Sequence, residues 1–146
     1  MKLNQLSVFL ENRPGALSAP CRALARAGVN LLTLSIADTQ QFGILRLIVR
    51  DWARAKAILE AEGCVVQVTE VLAVEVPDRP GGLADLLEVF EQAQLNLEYM
   101  YAFSVKQADR GLLVFRFADP DAAVAALRAA QVVVVNEVEL LRRLDA

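Results

Sequence analysis

A short sequence of this chain occurs twice, and the spacing of the copies limits what the chain can fold into. Residues 11–17 read Glu-Asn-Arg-Pro-Gly-Ala-Leu, and residues 77–83 read Pro-Asp-Arg-Pro-Gly-Gly-Leu. A second match follows each copy, because Asn30-Leu31 returns as Asn96-Leu97 at the same offset of 66 positions. Two matches with one offset and no insertion between them indicate a supersecondary unit that is built twice.

The length of 146 residues suits two units of about 70 residues each, and we place them at residues 1–69 and 70–146. Units this small bury little core alone, so we expect them to lie side by side. Residues 65–76 contain neither glycine nor proline. We therefore expect the last strand of the first unit to continue directly into the first strand of the second.

Alternating apolar residues predict the first strand of each copy, at Leu6, Val8 and Leu10 and again 66 positions later. The helices that follow are predicted to begin at Pro14 and Pro80, because proline suits a first helical turn. Both copies predict the order β-α-β-β-α-β, with N-caps at Asp51 and Asp119 before the second helices. This order is the ferredoxin-like α+β arrangement, an antiparallel sheet with helices on one face. The second strands are predicted at residues 30–38 and 96–105, and the hairpin turns after them at 39–43 and 107–111.

Composition excludes several classes of function. The net charge is −3 without a clustered basic face, so we expect no nucleic-acid partner. Histidine is absent, which removes the commonest metal ligand and general base, and we expect no metal, cofactor or catalytic residue. There is no apolar run long enough for a membrane span and no signal-peptide pattern, so we expect a cytoplasmic protein without membrane contact.

The repeated turn carries the chemistry. Glycine has no Cβ, so a ligand can approach the backbone, and free N–H groups at a helix start attract an anion. Asn12 and Asn30 can both donate and accept hydrogen bonds. Together these groups can satisfy the carboxylate and the ammonium of a zwitterion. The alternative interpretation is that the turn and the asparagines serve only as turn and cap residues.

With its matched strand order and duplication, the chain resembles the ACT domain, the small-molecule-sensing module of amino-acid metabolism. The resemblance covers essentially the whole chain and is similar to stand-alone tandem ACT proteins. It implies that an amino acid binds at the interface between paired domains, through the first turn and the start of the second strand. Carried over, this implies Asn12, Gly15, Ala16, Leu17, Asn30, Asp78, Gly81, Gly82, Leu83 and Asn96. The adjacent Arg13, Pro14, Leu31, Arg79, Pro80 and Leu97 complete the candidate site.

The resemblance leads us to expect a non-catalytic regulatory protein that senses an amino acid allosterically. We expect a homodimer, with a regulated enzyme or a transcription factor as a further partner. The two sites are not expected to be equivalent, since Asp78 replaces Asn12 and an ionised carboxylate cannot donate to another carboxylate. Asp78 then favours the ammonium end, or its copy is structural.

Three other functions are alternatives to this interpretation. Arg13 and Asn30 invite comparison with acylphosphatases, small hydrolases that share this fold class, but Pro-Gly replaces the glycine-rich phosphate cradle of those enzymes. Phe115 and Phe117 superficially suit an RNA-binding sheet, but the acidic balance and the absent basic patch do not. A ligand-free interaction module that dimerises through the ACT shape is the third possibility.

Two further side-chain groups have open roles. Tyr99, Tyr101 and Phe103 share one strand face, as a packed face or as a ligand wall. Arg46 is predicted to pair with Asp38 across a hairpin, or else to reach a ligand.

Overall fold

A computed structural model of the chain describes residues 1–38, 40–103 and 109–145, and it confirms the α+β class. The β-α-β-β-α-β order occurs twice, with β4 serving as the last strand of the first copy and the first strand of the second. In chain order the elements are β1 (Leu3–Glu11), α1 (Ser18–Arg26), β2 (Thr33–Asp38), β3 (Phe42–Ile48), α2 (Trp52–Ala61), β4 (Val65–Pro77), α3 (Gly82–Gln92), β5 (Leu97–Ala102), β6 (Arg110–Phe117), α4 (Pro120–Ala129), β7 (Val134–Val135) and α5 (Glu137–Asp145).

The chain divides into two compact units. The N-terminal unit comprises Asn4–Thr69, and the C-terminal unit comprises Met1–Leu3 together with Glu70–Ala146. The expected unbroken strand is confirmed, because β4 runs from Val65 to Pro77 across this division.

In the N-terminal unit the strands lie in the order β2-β3-β1, with β4 as the next neighbour of β1. Both β1 and β2 pair with β3 in antiparallel register. The alternation of Leu6, Val8 and Leu10 is confirmed, since all three are buried on the face that packs against α1 and α2. Leu24 from α1 and Leu59 from α2 complete this core.

The C-terminal unit repeats the arrangement as β4-β6-β5, with β7 also paired to β4. Leu72, Val74 and Val76 of β4 are buried against α3 and α4. Phe115 and Phe117 lie in the same core, with ring centroids 5.2 and 4.9 Å from the ring of Phe90. The RNA-binding interpretation of these two phenylalanines is therefore wrong, because both rings are buried under the helices.

The predicted helix starts at Pro14 and Pro80 are wrong by four and two residues, because α1 begins at Ser18 and α3 at Gly82. The reason is the glycine that follows each proline. Gly15 has φ +85° and Gly81 has φ +84°, a left-handed conformation that cannot belong to a right-handed helix. The predicted N-caps are confirmed, because carboxylates of Asp51 and Asp119 accept backbone N–H groups three residues ahead at 3.0 and 3.1 Å.

Other differences lie at the ends of the units. Strand β2 begins at Thr33, later than the predicted residue 30, and α5 was not predicted. The predicted continuation of β5 to Val105 lies outside the described residues, as do Thr39 and Gln107, which open the two predicted hairpin turns. None of the helices in the described ranges has the length and apolar character that a membrane crossing requires.

Candidate functional site

The turn after β1 is tied to the β2–β3 hairpin by hydrogen bonds of Asn12. Its backbone N–H donates to the carbonyl of Gln41 at 2.9 Å. Its side-chain Nδ2 donates to the Gln40 carbonyl at 3.0 Å and to Oδ1 of Asp38 at 3.4 Å. Asp38 also accepts the backbone N–H of Gln40 at 2.8 Å. Asn12 and Asp38 therefore form a fixed polar pair, which leaves Oδ1 of Asn12 as an acceptor.

This polar pair lies on the wall of a cleft of about 270 Å³ within the N-terminal unit. Apolar side chains supply one part of the wall and charged or amide side chains the other. The lining residues are Leu10, Glu11, Asn12, Arg13, Leu17, Ile36, Ala37, Asp38 and Gly43. A cleft with both an apolar wall and both signs of charge suits a small zwitterion that carries an apolar group.

Arg13 is the cation of this cleft. Its Nε donates to Oε2 of Glu11 at 2.7 Å, and its side chain is 64% exposed. A guanidinium carries five N–H donors in a planar fork, so this single ion pair leaves donors for a ligand carboxylate.

The predicted helix-start cradle for an anion is displaced along the chain in the N-terminal copy. Because α1 begins only at Ser18, Pro14 and Gly15 are not in its first turn. Two nearby backbone N–H groups are already used, since Ala16 donates to Arg13 at 3.2 Å and Ala19 donates to Gly15 at 3.1 Å. In this turn Arg13 is thus a better carboxylate donor than the backbone.

The other predicted residues of the turn have different roles. Leu17 lines the cleft, whereas Pro14, Gly15 and Ala16 shape the chain outside its lining. A Cβ built at Gly15 meets nothing within 4 Å, so the space beside this glycine is open. Its left-handed backbone is the stronger reason for a glycine at this position.

Asn30 and Leu31 lie at the opposite end of the same sheet from Asn12. Asp38 pairs with Gly43 beside the turn, whereas Thr33 pairs with Ile48 near Asn30. Gly43 and Ile48 lie on the same strand, β3, and at the rise of a β-strand they are roughly 17 Å apart. Asn12 and Asn30 are therefore separated by at least about this distance along the sheet. Within this unit, Asn12 and Asn30 therefore cannot hold the two ends of one small zwitterion.

In the equivalent turn of the C-terminal unit, Arg79 has two described partners within the protein, whereas Arg13 has one. Asp78 donates its backbone N–H to the carbonyl of Asp109 at 2.7 Å. Arg79 donates through Nη2 to Asp85 at 2.7 Å and through Nη1 to the Pro80 carbonyl at 3.1 Å. Asp85 lies in the first turn of α3, so this helix start already has a carboxylate of its own protein.

Gly82 is a packing residue and not an opening for a ligand. A Cβ built at Gly82 would lie 2.2 Å from the backbone oxygen of Pro77. Gly82 and Arg79 do line a cleft of about 300 Å³, but Asp78, Pro80, Gly81 and Leu83 do not. Asn96 and Leu97 again lie at the far end of the sheet, where Leu97 pairs with Phe117.

Strand register bears on the two side-chain groups with open roles. Arg46 is directly opposite Ser35, whereas Asp38 is opposite Gly43. Residues 35 and 38 are three apart and so lie on opposite sheet faces, which makes the predicted Arg46–Asp38 pair wrong. In β5, Tyr101 is opposite Val114. The strand face that carries Tyr99, Tyr101 and Phe103 therefore points away from α3 and α4.

Sequence reasoning missed Asp38 as a member of the candidate site. Its only signal is its place at the end of β2, immediately before a hairpin turn. The pairing with Asn12 depends on the register of β1, β2 and β3, which places residues 12 and 38 at one sheet edge. A single sequence does not specify that register.

Comparison with solved structures identifies chains of similar overall structure. The structure of protein BT0572 from Bacteroides thetaiotaomicron is 34% identical in sequence, with a TM-score of 0.89 and 96% of each chain covered. The regulatory subunit of aspartate kinase from Thermus flavus is 18% identical, with a TM-score of 0.63 over 88% of this chain and 90% of that one. The second similarity concerns the fold alone. Comparison with curated protein sequences gives no match.

A family model described as an ACT domain pair matches residues 1–144, nearly the full length. ACT domain pairs are regulatory ligand-binding modules and are generally not catalytic. The duplicated β-α-β-β-α-β order of the structure has the same organisation. The chain belongs to the family of ACT domain pairs.

Proposed function

We propose that this protein is a non-catalytic amino-acid sensor whose principal site is the cleft beside Asn12. The observation that carries the proposal is the pair of Asn12 and Asp38, with its contact at 3.4 Å, on the wall of a partly apolar cleft that also contains Arg13. These groups provide acceptors for an ammonium and donors for a carboxylate.

Each part of an α-amino acid has a counterpart in the cleft. The ammonium donates to Asp38 and to Oδ1 of Asn12, because both are oxygen acceptors. The carboxylate accepts from the guanidinium of Arg13, where a two-pronged contact is possible. The side chain packs against Leu17 and Ile36, which are 41% and 53% exposed and gain from being covered.

Asn30 enters this proposal through a second ACT domain. Because Asn30 lies at the far end of its own sheet, a ligand that contacts both Asn12 and an Asn30-type residue must lie between two domains. This agrees with the interfacial binding that the family resemblance implies. Ligand occupancy then favours the associated state, since a ligand shifts an equilibrium toward the state that it contacts best. The regulated partner is then an enzyme or a transcription factor that binds this associated state.

The two turns are proposed to be unequal. Asn12 contributes an amide to an open cleft, whereas Asp78 belongs to a turn in which Arg79 and Asp85 already form an ion pair. The C-terminal turn is thus mainly structural. Hydrolysis by an acylphosphatase-like mechanism is not supported, because Arg13 and Asn30 lie at opposite ends of the unit.

The test begins with a thermal-shift screen of the common amino acids on the full chain. Binding at 100 times the dissociation constant stabilises a protein by about 2.7 kcal/mol, which such a screen detects. The best amino acid then goes to titration calorimetry with Asn12→Ala and, as the matched control, Asp78→Ala. We expect Asn12→Ala to weaken binding by about tenfold or more, the effect of losing a hydrogen bond to a charged group.

Asp78→Ala is expected to change the affinity by less than about twofold, well under the effect of one such bond. Equal losses in both variants would contradict the proposed inequality. Stabilisation by none of the amino acids would contradict the sensor itself. It would favour the ligand-free interaction module, for which Leu34 and Phe42, 58% and 53% exposed, provide an apolar surface.

A further inference from the structure

Helix α5 forms a second cavity in the C-terminal unit, on a different sheet face from α3 and α4. The cavity has a volume of about 270 Å³. It lies between α5 and strands β4 and β6, and Glu75 of β4 contributes to it. Val74 and Val76 point into the core beneath α3 and α4, so Glu75 between them points to the other face. This volume is at the small end for ligand sites, which suits a molecule of amino-acid size.

One wall of the cavity is apolar. Leu140 of α5 is buried, and Phe103 at the end of β5 is only 6% exposed. Leu112 and Leu144 also line the space. These four side chains offer a hydrocarbon surface on which an apolar ligand side chain can replace water.

The base of the cavity is an ion network that holds α5 in place. Glu75 is 12% exposed at its side chain and forms an ion pair with Arg143 of α5. Arg143 also donates through Nε to Glu139 at 2.7 Å. A carboxylate this buried needs such partners, and Arg143 supplies charge compensation from α5.

The rim of the cavity carries two charged groups with spare bonding capacity. The guanidinium of Arg110 is 52% exposed, and its contact with Glu75 is 3.7 Å long, beyond hydrogen-bond distance. The neighbouring Asp109 is exposed, and within the described ranges its carboxylate makes no hydrogen bond or ion pair. An adjacent acid and base at the mouth of an apolar cavity match the two charges of a zwitterion.

We propose that this cavity is a second ligand site, which binds an α-amino acid with an apolar side chain. Arg110 donates to the ligand carboxylate, and Asp109 accepts from the ligand ammonium. The apolar side chain packs against Phe103 and Leu140. A zwitterion fits better than a simple anion, because the acidic and basic side chains balance among the described residues that line the cavity: Glu75, Asp109 and Glu139 against Arg110, Arg142 and Arg143. This site is independent of the cleft at Asn12.

The experiment follows amide signals of the full chain by two-dimensional NMR while L-leucine or L-phenylalanine is added. An Asn12→Ala background removes the proposed first site. The test variants are Arg110→Gln and Asp109→Asn. The second of these removes only the charge of an exposed side chain without described partners, so it is not expected to affect folding. Arg128→Gln is the matched control, because Arg128 lies in α4 of the same unit and does not line the cavity.

We expect saturable shifts of the amides of α5 and of Arg110 in the Asn12→Ala background. Arg110→Gln and Asp109→Asn should each weaken this binding by about tenfold, and Arg128→Gln should leave it unchanged. Two analogues probe the zwitterion: 4-methylpentanoate lacks the ammonium, and 3-methylbutylamine lacks the carboxylate. Each is expected to bind about tenfold more weakly than leucine.

Three results would overturn the second site. They are the absence of α5 shifts with both amino acids, unchanged affinity in Asp109→Asn, or equal affinity for leucine and 4-methylpentanoate. A loss of binding that occurs only with Asn12→Ala would assign the ligand to the first cleft alone. Such a result would leave the proposed sensor function intact and would reject the second site.

Discussion

At the scale of single residues, one of the differences between the two copies of the turn is a single methyl group. Ala16 in the N-terminal copy corresponds to Gly82 in the C-terminal copy. Gly82 begins α3 in a position where its Cα faces the backbone oxygen of Pro77, with no room for a Cβ. Ala16 carries a Cβ, and α1 begins later, at Ser18. The same motif thus precedes two helices that begin at different positions of the repeat.

We expect Gly82→Ala to lower the stability of the protein strongly. A Cβ at 2.2 Å from a backbone oxygen forces the strand and helix apart, and overpacking of this kind costs about 3 kcal/mol. The matched control is Gly15→Ala, where the added Cβ has open space but the backbone has φ +85°. Left-handed strain alone costs about 1 kcal/mol. The free energy of unfolding from urea titrations checks both values.

A Gly82→Ala variant that is as stable as Gly15→Ala would contradict the packing role of Gly82.

At the scale of elements, α5 has a sequence signal that the repeat conceals. Asn136 accepts the backbone N–H of Glu139 at 2.9 Å, and this spacing of a cap and an acid is typical of a helix start. Leu140 and Leu144 follow at the helical interval of four. The first copy has no counterpart to this helix, so an interpretation based on duplication ends the unit at Val135.

The pH dependence of α5 follows from Glu139. Hydrogen bonds from Arg142 and Arg143 lower the pKa of Glu139 from 4.5 to about 2. The folded state therefore binds this proton more weakly than the unfolded state does. The stabilisation by Glu139 is complete above pH 4.5 and is lost as the pH falls toward about 2. Carboxyl NMR titration of Glu139 measures the pKa directly.

Arg142→Gln tests the cause of this shift. Arg142 makes the largest contribution, with its Nε and Nη2 at 2.8 and 2.7 Å from the two carboxylate oxygens. We expect the pKa of Glu139 to rise toward 4.5 in this variant. An unchanged titration curve would show that Arg142 does not hold the carboxylate in solution.

At the scale of the whole molecule, the exposed apolar side chains of β2 predict self-association. Within the described residues β2 pairs with β3 alone, so it is an edge strand. Leu34 and Ile36 on this edge are 58% and 53% exposed. An exposed apolar edge strand favours pairing with another chain. A second ACT domain brought to this edge is also what the proposed interfacial ligand requires.

Sedimentation equilibrium checks this prediction through Leu34→Glu, since Leu34 is on the edge but does not line the cleft. We expect a dimer for the native chain and a dimer about tenfold weaker or more for the variant, because burying a leucine contributes roughly 1.5–3 kcal/mol. Val138→Glu is the control, as Val138 is 79% exposed on α5. A monomeric native chain, or equal weakening by both substitutions, would contradict an interface at β2.

Much of the fold was predictable from the sequence because its signals are local. Alternating apolar residues predicted β1 and β4, and Asp51 and Asp119 predicted two helix starts that the structure confirms. The starts of α1 and α3 were misplaced because proline and glycine give conflicting local signals. Only the backbone angle of Gly15 or Gly81 shows which signal prevails.

The sequence by itself determined the duplication, the element order and the family, since a repeat offset and a hydrophobic period need no partner strand. Tertiary structure alone decided which residues meet. It placed Asp38 beside Asn12, moved Asn30 to the other end of the sheet, and packed Gly82 against Pro77. The physical reason is that each of these contacts depends on strand register and on backbone atoms distant in sequence. The turns at Asn12 and Asp78 have different hydrogen-bond partners for that reason, although their sequences nearly match.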